Sequence, residues 1–238
     1  MMQRWSPETV AFMADAADYG QYYRELAKSL LPYLPLEGHI CDAGCGIGSL
    51  ALELSKHCRE VTAVDLSAAA LEQARKLPVP NNLRLIHGDI MELPHIYDAM
   101  VFCYFGKAHD ILRLASTSCQ GNIVVVRRDC RQHRFSAGPV ERKPHSMDLL
   151  TQELLRLGIE YDHRPLSLEL GQPFRSFEDA VAFFTLYNKS TVAVDPERIR
   201  RELISLQHPI FKLYYPSVRD MEVIVFSSIN VKKALKSP

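Results

Sequence analysis

Asp42-Ala43-Gly44-Cys45-Gly46-Ile47-Gly48, with Asp65 seventeen residues further on, is the stretch of this 238-residue chain whose residue types and spacing point most specifically to chemistry. His39-Ile40-Cys41 before it is short and mostly apolar, as a buried strand is, and Ser49 to His57 after it reads as a helix. The glycines therefore fall in a strand-to-helix turn. Glycine there allows a sharp backbone turn and lets a ligand lie against bare peptide groups. The free N–H groups of the following helix can donate to a carboxylate or phosphate. A second apolar run, Val61 to Val64, ends in Asp65. A carboxylate at the tip of a second strand accepts two hydrogen bonds from a ribose diol.

Two cofactor classes use such a turn. A dinucleotide site wants G-x-G-x-x-G, whose third glycine falls at position 49, and that residue is Ser49. Asp42 ahead of the glycines suits a ligand carrying an ammonium and repels a pyrophosphate. On these residues the chain resembles the class I S-adenosylmethionine-dependent methyltransferases. Their first motif reads much like Asp42 to Gly48, their second-strand acid matches Asp65, and their adenine-contacting acid matches Asp89 in His87-Gly88-Asp89-Ile90. The resemblance rests on motifs over residues 36–130 and on element order elsewhere. It implies S-adenosylmethionine as cofactor, held by Asp42, Gly44, Cys45, Gly46, Gly48, Asp65, Leu66, Asp89 and Ile90; Tyr104, at the end of the fourth strand, is placed to wall the methyl donor or stack on the acceptor, with core packing as its plainer role. It also implies a seven-stranded sheet whose last strand is antiparallel.

Methyl transfer from a sulfonium is an in-line displacement that leaves a neutral sulfur, so it tolerates an apolar pocket. A base is needed only when the nucleophile arrives protonated. Ligands of open parallel sheets sit beyond the C-terminal strand ends. The fourth strand ends in Cys103-Tyr104-Phe105-Gly106-Lys107-Ala108-His109, which offers Phe105 as an acceptor wall and His109 as a candidate base; core packing and a helix-start decoration are their plainer roles. Arg127, Arg128, Arg131, His133, Arg134, Arg142, Lys143 and His145 crowd the region after the fifth strand. Arginine forks suit carboxylate and phosphate, so Arg128 and Arg134 are candidates to grip an anionic acceptor, against the plainer reading of a solvated basic loop. Tyr19 and Tyr23 sit on a helix before the first strand, of a kind such enzymes often fold over the cofactor; closing the site and ordinary amphipathic packing are equally open to them. The family's Pro-Pro-Tyr type motif and its Pro-Cys are both absent from the sequence.

The elements that must position these residues alternate. Strands are expected at about 39–42, 61–65, 83–87, 98–104 and 122–127, with helices at about 48–57, 67–76 and 108–118. That order predicts an α/β, Rossmann-like, mostly parallel sheet with helices on both faces. Ser6-Pro7-Glu8 predicts a helix start, and a second helix is expected from Tyr19 to Leu31. Arg127 to His145 reads as a loop, 147–157 as a helix, Ile159 to Leu170 as a strand interrupted at Pro165, and Glu222 to Ile229 as the closing strand. The expected division is an N-terminal helical cap over 1–35, a Rossmann-like domain over 36–171 and 217–238, and a helical insertion or lid over 172–216.

Composition bounds the rest. Lys plus Arg and Asp plus Glu are both 28, so the net charge is zero and a nucleic-acid partner is disfavoured. The six cysteines form no CxxC pair, so neither zinc nor a disulfide framework is indicated. No stretch reaches the length of a membrane span, and a cytoplasmic location is expected. The expected function is S-adenosylmethionine-dependent methylation of a small-molecule acceptor, anionic if the basic region grips it. The alternatives are a methyltransferase of RNA or protein, a module that holds S-adenosylmethionine or S-adenosylhomocysteine without catalysis, and, more distantly, a dinucleotide oxidoreductase.

Overall fold

A computed structural model describes residues 5–128, 135–140 and 146–236. Five parallel strands form its centre: β1 His39–Ala43, β2 Glu60–Asp65, β3 Leu83–His87, β4 Tyr97–Cys103 and β5 Cys119–Arg128. Helices α1 Pro7–Tyr19 and α2 Tyr22–Leu30 precede them, and α3 Ser49–Ser55, α4 Ala68–Arg75 and α5 Ala108–Thr117 connect them. After α6 Ser146–Arg156 comes β6 Tyr161–Glu169, then β7 Gln172–Phe174, α7 Phe177–Tyr187, α8 Pro196–Glu202, β8 Ile204–Ser205 and β9 Leu213–Tyr215. β10 Val218–Ser227 and α9 Ser228–Ala234 end the described chain. The large sheet runs β3-β2-β1-β4-β5-β10-β6, with β10 antiparallel to both of its neighbours. This is the α/β, seven-stranded, mostly parallel architecture that the element order predicts.

The strands alternate their side chains between two cores, which is why both faces need helices. Ile40, Val61, Val101, Val124 and Val223 face one side, where Leu26 and Leu30 of α2 and Leu50 and Leu54 of α3 cover them. Cys41, Val64, Phe102, Val125 and Ile224 face the other, against Ile111 of α5, Leu154 of α6 and Val231 of α9. Phe102 and Ile111 are fully buried, and each such side chain contributes about 1.5–3 kcal/mol. The helix starts follow their caps: the Ser6 and Ser67 hydroxyls accept the N–H groups of Thr9 and Ala70, both at 3.3 Å.

Several expectations are corrected. Gly20 closes α1, its N–H reaching Ala16 O, so the second helix starts at Tyr22 rather than Tyr19. Arg127 and Arg128 belong to β5 and not to a loop. β6 runs unbroken through Pro165, because it is the last strand of the sheet and an edge strand tolerates a residue without an N–H. The segment 172–216 is not purely helical: it adds a three-stranded sheet, β7-β9-β8, to α7 and α8. The closing strand begins at Val218, and α9 takes over at Ser228, with the Ser227 hydroxyl as its cap.

The N-terminal helices and the 172–216 segment meet at one end of the sheet. Arg175 grips Asp15 of α1 with both terminal nitrogens, and Gln172 Nε2 donates to Phe12 O at 3.0 Å. Phe12 packs edge-on against Phe174 and Phe183. Among the described residues no helix is long and apolar enough to cross a membrane.

Candidate functional site

The turn after β1 is built from three left-handed glycines, Gly44, Gly46 and Gly48, with φ of 70°, 56° and 75°. Its backbone is anchored on β2: Gly44 and Cys45 donate to Val64 O at 2.8 and 3.0 Å. Asp65 completes the anchor, one carboxylate oxygen accepting from Gly46 N at 2.7 Å and the other from Ser67 N at 2.8 Å. A carboxylate oxygen has two lone pairs, so each retains an acceptor position for a diol.

Bare glycine faces carry aromatic rings. A Cβ on Gly44 would lie 2.1 Å from the Phe105 ring, and one on Gly46 would lie 2.5 Å from the Trp5 indole. Trp5 was missed in the sequence; it precedes α1, the segment that packs with Val10 against Ile47 and Ala70.

Asp42 at the end of β1 is only 1% exposed, and both of its carboxylate oxygens lack a hydrogen-bond partner. Burial, and next the charge of Asp65, push its pKa up to about 7. A buried, unsatisfied carboxylate beside a bare glycine turn matches an ammonium-bearing ligand, since buried charges persist when paired. Asp89 Oδ1 accepts Met91 N at 2.9 Å and starts a short 3₁₀ turn; Ile90 next to it is 4% exposed and buried in the core. Leu66 is half exposed at 49%, with its carbonyl 3.1 Å from His87 Nε2.

The acceptor-side candidates separate. Tyr104 lies at the end of β4 with φ 57°, the one non-glycine residue in that region among those described. Its hydroxyl is 2.7 Å from that of Tyr22. Tyr23 stacks edge-on against Tyr22, and burial raises its phenol pKa. Tyr19 instead joins His208, Phe211 and Tyr214. His109 is turned out on the first turn of α5, its side chain 75% exposed and 3.0 Å from Asp110. Arg128 ends β5, half buried. Arg134 lies outside the described residues. Arg127 is buried and donates to Gly106 O, holding the turn after β4.

The fold and the glycine turn resemble those of the class I S-adenosylmethionine-dependent methyltransferases. Residues 40–120 match the family described as a methyltransferase domain. The chain is 40% identical over 62 residues to an S-adenosyl-L-methionine-dependent Diels-Alderase of Talaromyces variabilis, covering 25% of this chain and 21% of that protein. It is 33% identical over 92 residues to a malonyl-[acyl-carrier protein] O-methyltransferase of Pectobacterium atrosepticum, covering 38% of this chain and 36% of that protein. The chain thus spans about a fifth to a third of the length of these curated relatives. Among solved structures, magnesium protoporphyrin IX methyltransferase of Synechocystis PCC 6803 with bound S-adenosylhomocysteine superposes with a TM-score of 0.51. It is 15% identical, covering 94% of this chain and 89% of that one, and shares the fold.

Proposed function

We propose that this chain holds S-adenosylmethionine over the ends of β1, β2 and β3 and transfers its methyl group to a small, anionic acceptor. The observation that carries this reading is the buried, partnerless Asp42 carboxylate beside the glycine turn. Bound there, the cofactor supplies an electrophilic methyl on a sulfonium. The residues do the positioning: Asp42 pairs the ammonium, Gly44, Cys45, Gly46 and Gly48 present backbone, Asp65 accepts the ribose hydroxyls, and Asp89 accepts the adenine amine. Leu66 and Ile90 flank the adenine, and Tyr104 walls the methyl. An acceptor whose attacking atom is already deprotonated needs no base. One that arrives protonated has His109 as its candidate base, with Phe105, Tyr19, Tyr23, Arg128 and Arg134 as candidate acceptor contacts. In this reading residues 1–35 cap the site, 36–171 with 217–238 form the Rossmann-like domain, and 172–216 serve as lid.

Titration with S-adenosylhomocysteine and with NAD tests the cofactor. Trp5 is the only tryptophan and lies on Gly46, so its emission reports filling of the turn. The expected result is saturable binding of S-adenosylhomocysteine and none of NAD; the reverse overturns the reading. Incubation with methyl-labelled cofactor and a metabolite extract then identifies the product. A second reading, use of the cofactor without methyl transfer, draws on the relative named a Diels-Alderase; it predicts binding with no label transferred. A steep salt dependence of RNA binding would instead favour a nucleic-acid acceptor.

Asp65→Ala is expected to weaken S-adenosylhomocysteine binding more than Asp89→Ala. The first removes two ribose acceptors and also the ties to Gly46 and Ser67, whereas the second removes one adenine bond and the cap of Met91. Charge-assisted bonds contribute about 1.5–3 kcal/mol each, so calorimetry should separate the two by about tenfold or more. Equal losses would show that one role is misassigned.

A further inference from the structure

Arg219 is a charged residue at an apolar position. It shares strand parity with Met221, Val223 and Val225, all buried in the core that α2 covers. Its guanidinium lies 5.7 Å from the Tyr22 ring centre and 5.2 Å from that of Tyr104. The guanidinium is hydrogen-bonded to the Tyr104 side chain, but its Nε is buried without a partner, and among the described ion pairs no carboxylate meets it. The hydroxyl of Tyr187, on α7, is likewise buried without a partner, and the charge of Arg219 acts on it. Buried donors without a partner are unusual, because buried polar groups are nearly always satisfied. The strained backbone of Tyr104 lies in the same cluster, where strain marks functional sites.

The setting decides the ligand. A guanidinium fork matches the planar pair of oxygens of a carboxylate, and the phenol rings on either side suit a flat, apolar body. The cofactor's own carboxylate is a second source of the same chemistry, but it sits on the carbon that bears the ammonium. The charge felt at Asp42 is that of Asp65, whereas Arg219 acts on Tyr22, Tyr23 and Tyr104. The charges of both Arg219 and Asp42 act on Tyr23. Resting on the methyltransferase reading above, we propose that Arg219 and the Tyr187 hydroxyl form the anion end of the acceptor site, and that the acceptor is a flat aromatic or unsaturated molecule bearing a carboxylate. This moves the anion grip from Arg128 and Arg134 to a residue of β10.

Benzoate and its neutral isostere benzamide are the probes, titrated calorimetrically into the protein with and without saturating S-adenosylhomocysteine. Benzoate is expected to bind and benzamide to bind at least about tenfold more weakly, the loss of one charge-assisted bond. Arg219→Met should weaken benzoate about 10- to 100-fold, with Arg219→Lys recovering part of it. Tyr187→Phe removes a single hydroxyl and should cost about three- to tenfold, which decides the matter if Arg219→Met does not fold. S-adenosylhomocysteine affinity should stay within about threefold of wild type throughout. Equal binding of benzoate and benzamide, or benzoate binding that ignores both variants, overturns the proposal. So does an Arg219→Met variant that loses S-adenosylhomocysteine and keeps benzoate, which assigns the arginine to the cofactor's carboxylate. If wild type fails to bind S-adenosylhomocysteine, the methyltransferase reading falls, and the titrations without it still decide the anion site.

Discussion

Asp42→Asn is expected to lose S-adenosylhomocysteine affinity by at least about 30-fold at pH 8 and, at the same pH, to raise the Tm of the ligand-free protein. The two effects have one cause. Asp42 is buried without a partner, and its carboxyl is pushed up to about 7 from an ordinary value of 3.8. A carboxyl with a raised folded-state pKa binds its proton more tightly when folded. Its contribution therefore costs nothing below pH 4. It subtracts stability progressively as pH rises towards 7, reaching on the order of 4 kcal/mol above that. Asparagine carries no charge to desolvate and escapes this loss. Cofactor binding reverses the sign, because an ammonium against the carboxylate favours the ionised form. Wild-type affinity should accordingly rise from pH 6 to pH 8, while that of Asp42→Asn stays flat. Thermal melts of both proteins at pH 5.5 and 8.5, with calorimetry at pH 6 and 8, check all three statements. If the melting difference between the two proteins is the same at both pH values, the buried charge is not the cause.

Gly44→Ala should lower Tm by at least twice the drop caused by Gly158→Ala, and it alone should impair cofactor binding. Both glycines are left-handed, with φ of 70° and 64°. A side chain in that conformation costs roughly 1–2 kcal/mol. At Gly158, which ends α6, an added Cβ meets nothing within 4 Å, so backbone strain is the whole effect. That corresponds to about 2–8 °C in a chain of this size. At Gly44 the Cβ would fall 2.1 Å from the Phe105 ring. The ring must leave the turn, which adds about 1–3 kcal/mol of overpacking. The methyl also stands where the cofactor would approach the backbone. Melting curves separate strain from clash, and Trp5 emission with S-adenosylhomocysteine reports the binding loss. Equal melting temperatures for the two variants would mean that Phe105 yields without cost.

What the sequence by itself determined is the part of the site that is contiguous. The turn from Asp42 to Gly48 follows from glycines taking positive φ between a strand and a helix. Asp65 ends β2 and Asp89 lies two residues beyond the end of β3, as a count along each apolar run places them. Local rules act within a few residues, so local patterns reveal them. Pro165 shows where such a rule falls short: a proline reads as a break, but its effect depends on whether the strand is an edge, and that is a property of the sheet. The helix α9 went unread because the apolar run of β10 continues into it through Ile229 and Val231.

Only the tertiary structure decided the rest. Trp5 reaches Gly46 because α1 folds back along α4. Tyr22, Tyr104, Tyr187 and Arg219 come from four separate elements. Tyr22 and Tyr104 are 82 residues apart in the chain, and Tyr22 and Met221 are 199 apart. They converge because β10 runs antiparallel between β5 and β6. That direction brings the start of β10, and Arg219 with it, to the edge where the parallel strands end. An arginine one step inside an apolar alternation is visible in the sequence. Its neighbours are not, since they depend on strand order and direction, which long-range packing sets.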